Sequence, residues 1–229
     1  MSETSRLSEG SWESEALAGV MHLYSIPRVA ALEADAVVVF PGLGEDWRIR
    51  EAVRIWNHWV ERGQTNKFFL LAGHNKNERT WKEFTRQVLS NEPFLMQHSH
   101  SGRVRLKEHE DNTKTQVEWV VKEVLGSQRM IKSLALVVSP YHLLRAYLTL
   151  LGGFTKHIGS MPVMVPVPTQ TSGDSKNPEF QIPCWDLVAG ELDRIRKYQE
   201  KGDIANFGVL KDYLSQIWRM MPLVKHLKS

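Results

Sequence analysis

The chain has 229 residues, 42% hydrophobic and 24% charged, a balance that suits one globular domain with a substantial core. Lys and Arg number 29 and Asp and Glu 26, so the net charge of +3 is too even for the basic stripe of a nucleic-acid binder. The single cysteine, Cys184, excludes an internal disulfide framework and any multi-cysteine metal site, and no apolar run approaches the roughly 18 residues that cross a bilayer.

Residues 1–15 are polar and rich in Ser and Glu. They lack the charged start and apolar stretch of an export signal, so they read as a flexible lead-in and the protein as cytoplasmic. Leu17, Val20, Met21, Leu23 and Ile26 are scattered over 16–32 and predict a short helix and a connector ended by Pro27. Residues 1–33 are therefore set apart from a single domain over 34–229.

Asp35–Phe40 is a continuous apolar run closed by Pro41-Gly42-Leu43-Gly44, the pattern of a strand buried on both faces. A helix follows, with Ile49, Ala52, Val53, Trp56, Trp59 and Val60 on one face and Gly63 as its stop. The cycle repeats with a strand over Lys67–Ala72, ended by Gly73, and a helix over 78–90 with Trp81, Phe84, Val88 and Leu89 inward. A weak strand at Val104–Lys107 precedes a helix over Thr113–Leu125, whose inward stripe is Val117, Val120, Val121, Val124 and Leu125. Then come a strand over Ser133–Ser139, a helix from Tyr141 to about Leu151 and a strand over Val163–Val167. Residues 168–179 form a polar loop, which at that length is functional or mobile. Two helices near 184–201 and 206–219 close the chain. Strands alternating with helices predict an α/β, Rossmann-like, doubly wound and mainly parallel sheet flanked by helices, with the C-terminal helices over 184–219 as an addition.

Ligands of such a sheet bind at the carboxyl ends of its strands, so the residues just after each strand carry the interest. Four segments qualify. In Pro41–Arg50 the glycines let backbone approach a ligand, although the dinucleotide GxGxxG is incomplete and a plain tight turn explains the segment equally well. In Ala72–Glu78, His74 follows the strand-ending Gly73, and Glu78 opens the next helix, where the helix dipole alone favours an acid. In Glu108–Gln116, Thr113 and Gln116 have capping-box spacing and Asp111 and Asn112 are alternative caps. Capping leaves unexplained the concentration of acids there, which suit a base or an acceptor for a polar ligand. In Val138–Arg145, His142 and Arg145 are three apart at a helix start and share a face, which suits an anionic ligand with His142 as a proton donor.

In order and spacing the four segments resemble the YdcF/SanA/ElyC-like family. The carriers are Val37–Gly44 with Arg48 or Arg50, Ala72-Gly73 with Glu78, Glu108–Thr113, and above all Ser139-Pro140-Tyr141-His142-Leu143-Leu144-Arg145-Ala146. The resemblance covers about residues 34–167. It implies a Rossmann-like fold, a polar strand-end pocket and a nucleotide-like ligand, with S-adenosylmethionine the cofactor suggested and a divalent metal ranked below it. Lys107 stands where the family's usual acid falls, so Glu108 and Glu110 compete for that role. The lack of a membrane helix points away from the envelope role of anchored members.

The expected catalytic residues are His142 as acid/base with Glu110 and Asp111. The expected ligand-binding residues are Gly42, Leu43, Gly44, Glu45, Arg48, Arg50, Gly73, His74, Glu78, Glu108, Asn112, Thr113, Ser139, Tyr141 and Arg145. No metal site is assigned, since His98, His100 and His109 fall in an irregular, solvated stretch. Cys184 has no activating base beside it, and no GxSxG elbow marks a hydrolase nucleophile, although Ser139 near His142 is a candidate. Most of the tryptophans read as core, whereas Trp47 in the Gly turn could stack on a base. The reading is a protein that binds a nucleotide-like or phosphorylated small molecule and acts on it. The rivals are a phosphate or pyrophosphate ester hydrolase or transferase and a non-catalytic sensor or interaction module. Neither a nucleic-acid partner nor a membrane span is expected, and the oligomeric state is left open.

Overall fold

A computed structural model describes residues 11–73, 75, 77, 78, 80, 101–127, 131–157 and 161–220. Five strands, β1 (Ala36–Val39), β2 (Phe68–Leu71), β3 (Val104–Leu106), β4 (Ser133–Val138) and β5 (Val163–Pro168), form one sheet in the order β3-β2-β1-β4-β5. Every pairing is parallel. Strands β1, β2 and β4 are apolar because helices flank the sheet, so both of their faces are buried. The chain runs outward from β1 to β3 and then returns to β4 on the other side of β1. The order therefore reverses between β1 and β4, and the ends of those two strands form the crevice where a parallel sheet takes its ligand.

The helices are α1 (Trp12–Ser25), α2 (Asp46–Glu61), α3 (Thr113–Gly126), α4 (Leu143–Thr155), α5 (Val188–Glu200) and α6 (Phe207–Met220). Short 3-10 turns at Arg28–Glu33, Pro140–His142 and Cys184–Leu187 lead into β1, α4 and α5. Helix α2 lays Ile49, Ala52, Val53, Ile55, Trp56 and Trp59 against the sheet, while Val60 is only partly buried. The expected helix over 78–90 lies outside the described residues except for Glu78 and Thr80.

Three expectations are corrected. Helix α1 begins at Trp12, inside the expected lead-in, because the hydroxyl of Ser11 accepts from the Ser14 amide and caps it. Its contact face is Ala16, Gly19 and Leu23, whereas Leu17 and Met21 are 62% and 64% exposed. Gly19 is what allows the approach, since a Cβ there would meet Leu210 of α6 at 3.2 Å and Leu144 of α4 at 3.3 Å. Leu125 is half exposed, because α3 turns Gln116, Val117, Val120, Val121 and Val124 inward and Leu125 falls at the edge of that stripe in the last turn. The expected Thr113–Gln116 box is an Asn112–Thr115 box. The Asn112 side chain accepts from the Lys114 and Thr115 amides, and the Thr115 hydroxyl accepts from the Asn112 amide.

The C-terminal helix α6 is fastened to the edge of the sheet. The Tyr213 hydroxyl accepts from the Met164 amide at 2.8 Å and donates to the Pro162 carbonyl at 2.6 Å. Tyr147 of α4 donates to the Met164 carbonyl at 2.9 Å. Pro166 and Pro168 sit on this same edge strand, where a missing N–H is tolerated. Among the described residues no helix is long and apolar enough to cross a membrane.

Candidate functional site

The site grows from one buried arginine. Arg48 lies in the first turn of α2 on the same stripe as Ala52, Ile55 and Trp59, so the helix drives it into the interior, where it is 0% exposed. A guanidinium there must spend every N–H on a partner. Nε donates to the Ser139 hydroxyl at 2.9 Å, and Nη1 donates to the Phe40 carbonyl at 3.1 Å and to His142 Nδ1 at 3.0 Å. Nη2 donates to the Tyr141 hydroxyl at 3.2 Å and forms an ion pair with Glu45, which is equally buried. Burial alone would lower the arginine's pKa, but Glu45 and then Tyr141 and Glu191 outweigh it and the charge is held. Tyr141 donates to Glu45 Oε1 at 2.8 Å, and burial is the main cause that pushes its phenol pKa upward.

Gly42 is the complement of this arginine. It takes a φ of +66°, and a Cβ on it would lie 2.5 Å from the guanidinium carbon. The turn after β1 thus lies flat on Arg48. Ser139, at the end of β4, accepts from Trp47 Nε1 at 2.9 Å as well as from Arg48, and donates to Glu45 Oε2 at 3.1 Å. With proton and lone pairs engaged it is a junction rather than the nucleophile considered above. Trp47 is held by that same bond and does not line the cavity described next.

A cavity of about 210 Å³ opens over the ends of β1 and β4. Of the expected residues, Gly42, Leu43, Arg48, Glu78, Asp111, Asn112, Thr113, Tyr141, His142 and Arg145 line it. The others stand elsewhere. Arg50 points outward, pairs with Asp46 and is 67% exposed. Glu110 pairs with Lys107 at 3.5 Å, Glu108 is exposed, and neither lines the cavity. Gly44 packs on Thr80, while Glu45 and Ser139 lie beneath the cavity as partners of Arg48. His74, with His98 and His100, lies outside the described residues.

Gly73 acts through space rather than torsion. A Cβ on it would come 2.3 Å from the backbone carbon of His109, because the 108–112 segment crosses directly over the end of β2. Its carbonyl accepts from Gln116 Nε2 at 2.6 Å, which ties the start of α3 to the same point. This crossing delivers Asp111, Asn112 and Thr113 to the cavity. Gly73→Ala should cost about 2 kcal/mol through overpacking and shift the 108–113 segment. Urea unfolding measures the first effect and amide chemical shifts of 108–116 the second. An unchanged midpoint with unchanged shifts would contradict the crossing.

Several cavity residues lay outside the sequence reading. Glu191 of α5 is buried and receives Arg145 through Nε and through Nη2 at 3.1 Å, and Arg194 Nη1 at 2.8 Å. Arg145 Nη1 also donates to Thr113 at 3.0 Å. Phe180, Leu187 and Tyr198 line the cavity from the C-terminal segment. Asn177, in the expected functional loop, is fully buried. Its amide donates to Glu45 Oε1 at 3.3 Å and its carbonyl oxygen accepts from the Glu179 and Phe180 amides. The helical spacing of Glu191, Arg194 and Tyr198 was the one signal available for α5. A neighbouring cavity of about 230 Å³ shares Asn112, Thr113, Arg145 and Tyr198 with the first.

Besides Arg48 and Tyr141, two further titratable groups in the cavity are displaced from their ordinary values. Glu78 is pushed up to about 7, chiefly by burial and then by Glu179 and Glu45, with Arg48 opposing. His142 is held well below its ordinary value by burial and by Arg145, Arg48 and Arg194. Cys184 is buried and its thiol is pushed up to about 11, mainly by burial, which makes it a poor nucleophile. Among the described residues no group of three His, Cys, Asp or Glu side chains is placed to hold a metal ion. Comparison with protein-family models and with curated proteins returns no match.

Proposed function

We propose that the protein binds a nucleotide-like or phosphorylated small molecule over the ends of β1 and β4 and acts on it by acid–base chemistry at Glu78. The observation that carries this is a carboxyl group poised at about 7 in the wall of a polar cavity at the switch point of a parallel sheet. A general acid–base works best when its pKa lies near the operating pH. The adjoining cavity gives an extended ligand room beyond Thr113 and Tyr198. The likeness to the YdcF-like family supports S-adenosylmethionine as the first probe, and a cytoplasmic location belongs to the same reading.

The test is calorimetric titration with S-adenosylmethionine, adenosine monophosphate and inorganic phosphate, beside mass spectrometry of small molecules that co-purify with the protein. Binding that Glu78→Gln retains while turnover is lost is the expected result. If none of the three probes binds and no small molecule co-purifies, the proposal fails. The near-neutral Glu78 also favours one second reading, phosphate-ester hydrolysis with Glu78 taking a proton from the attacking water. Phosphatase activity with and without Mg²⁺ decides it.

A further inference from the structure

We infer that His142 Nε2 is a fixed hydrogen-bond donor for a phosphoryl or carboxylate oxygen of the ligand, and that Arg48 is the positioning residue that fixes it. The inference rests on the strand-end reading above and adds the chemistry of one end of the ligand. An arginine N–H can only donate, so the 3.0 Å contact from Arg48 Nη1 makes His142 Nδ1 the acceptor. A neutral ring with an accepting Nδ1 carries its proton on Nε2. That nitrogen is buried and has no hydrogen-bond partner among the described residues, while the ring, 4% exposed, lines the cavity. A buried donor without a partner is costly and is tolerated where something else supplies the acceptor.

The surroundings select an anionic acceptor. Arg145 and Arg194 flank the site and share a single buried carboxylate, Glu191, and although Glu78 and Asp111 also line the cavity, the charges acting on His142 itself are those of Arg145, Arg48 and Arg194. Arg145 spends Nε and one N–H each of Nη1 and Nη2 on Glu191 and Thr113, so two N–H groups stay available. Arg48 cannot serve as the anion binder because its N–H groups are already engaged. The starts of α3 and α4, at Asn112–Thr113 and His142, also present their positive ends to the cavity. The ring stays neutral beside three arginines, so His142 binds as a neutral donor and is not the proton-transferring acid/base expected from the sequence.

Long-range ¹⁵N–¹H spectra of the histidine-labelled protein between pH 6 and 8 test the inference, first alone and then with inorganic phosphate, acetate and adenosine monophosphate. A neutral His142 with its proton on Nε2, which moves downfield with phosphate or acetate, is expected, and the stronger response tells phosphoryl from carboxylate. His142→Phe should weaken the responding anion about tenfold to a hundredfold, and His142→Gln, which keeps an N–H in reach, should restore part of it. An imidazolium, a proton on Nδ1, or an Nε2 resonance unmoved by millimolar phosphate and acetate would overturn it. A shift with phosphate but none with the nucleotide would leave the subsite standing and remove the nucleotide-like reading instead.

Discussion

Arg48→Met should lose about 3–5 kcal/mol of stability, seen as a fall in melting temperature of about 10 °C. Methionine fills much of the same volume, so the loss is not one of packing. It comes from stranding the Glu45 carboxylate, which is fully buried and has Arg48 as its ion-pair partner, and from leaving the Phe40 carbonyl and His142 Nδ1 without their donor. The double variant Glu45→Met/Arg48→Met removes the stranded charge and should be more stable than the single one, although Tyr141, Ser139 and Asn177 then lose an acceptor. Urea unfolding of the two variants and the parent measures both differences. A single variant within 1 kcal/mol of the parent, on the order of an exposed pair, would mean that the guanidinium does not hold the site together.

Glu78→Gln should abolish turnover and yet stabilise the protein at alkaline pH. In the folded chain the carboxyl titrates at about 7 rather than the ordinary 4.5, so between those values the folded state keeps a proton that the unfolded chain has lost. By linkage, stability falls as pH rises through that window, and above it the ionised Glu78 is a liability of about 2 kcal/mol once solvent screening of this partly exposed side chain is allowed for. Glutamine keeps the shape of the protonated acid and carries no charge. The variant should therefore match the parent at pH 4.5 and exceed it by about 2 kcal/mol at pH 8. Melting curves at the two values decide the matter. Equal stability of parent and variant at both would return Glu78 to an ordinary solvated acid and take with it the proposed acid–base role.

The fold was readable because each strand–helix cycle carries its own local signature, an apolar run closed by glycine and followed by a 3.6-residue stripe. The strand-end segments followed from topology alone, and that is why Asp111, Asn112, Thr113, His142 and Arg145 were named. Direction was harder. Arg48 lines the cavity as expected, but its place on the stripe with Ala52, Ile55 and Trp59 also marks it as buried, with its N–H groups turned to protein partners. Arg50, two residues on, is carried to the solvent side by the same period. Gly73 carries no torsional mark, and only the crossing of 108–112 over β2 explains it. Asn177, Glu191 and Arg194 reach the site from the far end of the chain through tertiary packing, and the helical spacing of Glu191 and Arg194 shows that they share a face but not which part of the sheet that face meets. The choice of Asn112 over Thr113 as cap was a competition between neighbouring residues that local spacing left open.

The fastening of α6 to β5 bears on how copies of this protein can meet. A bare edge strand invites another strand to add to it, but here Tyr213 answers the Met164 amide, Tyr147 takes the Met164 carbonyl, and Pro166 and Pro168 have no N–H to offer. Growth of the sheet by strand addition is closed on the β5 side and must come, if at all, from the β3 side. Removing α6 would therefore do more than shorten the chain, since it would take the Tyr213 hydroxyl from the Met164 amide and leave that edge guarded by Tyr147 and the two prolines alone.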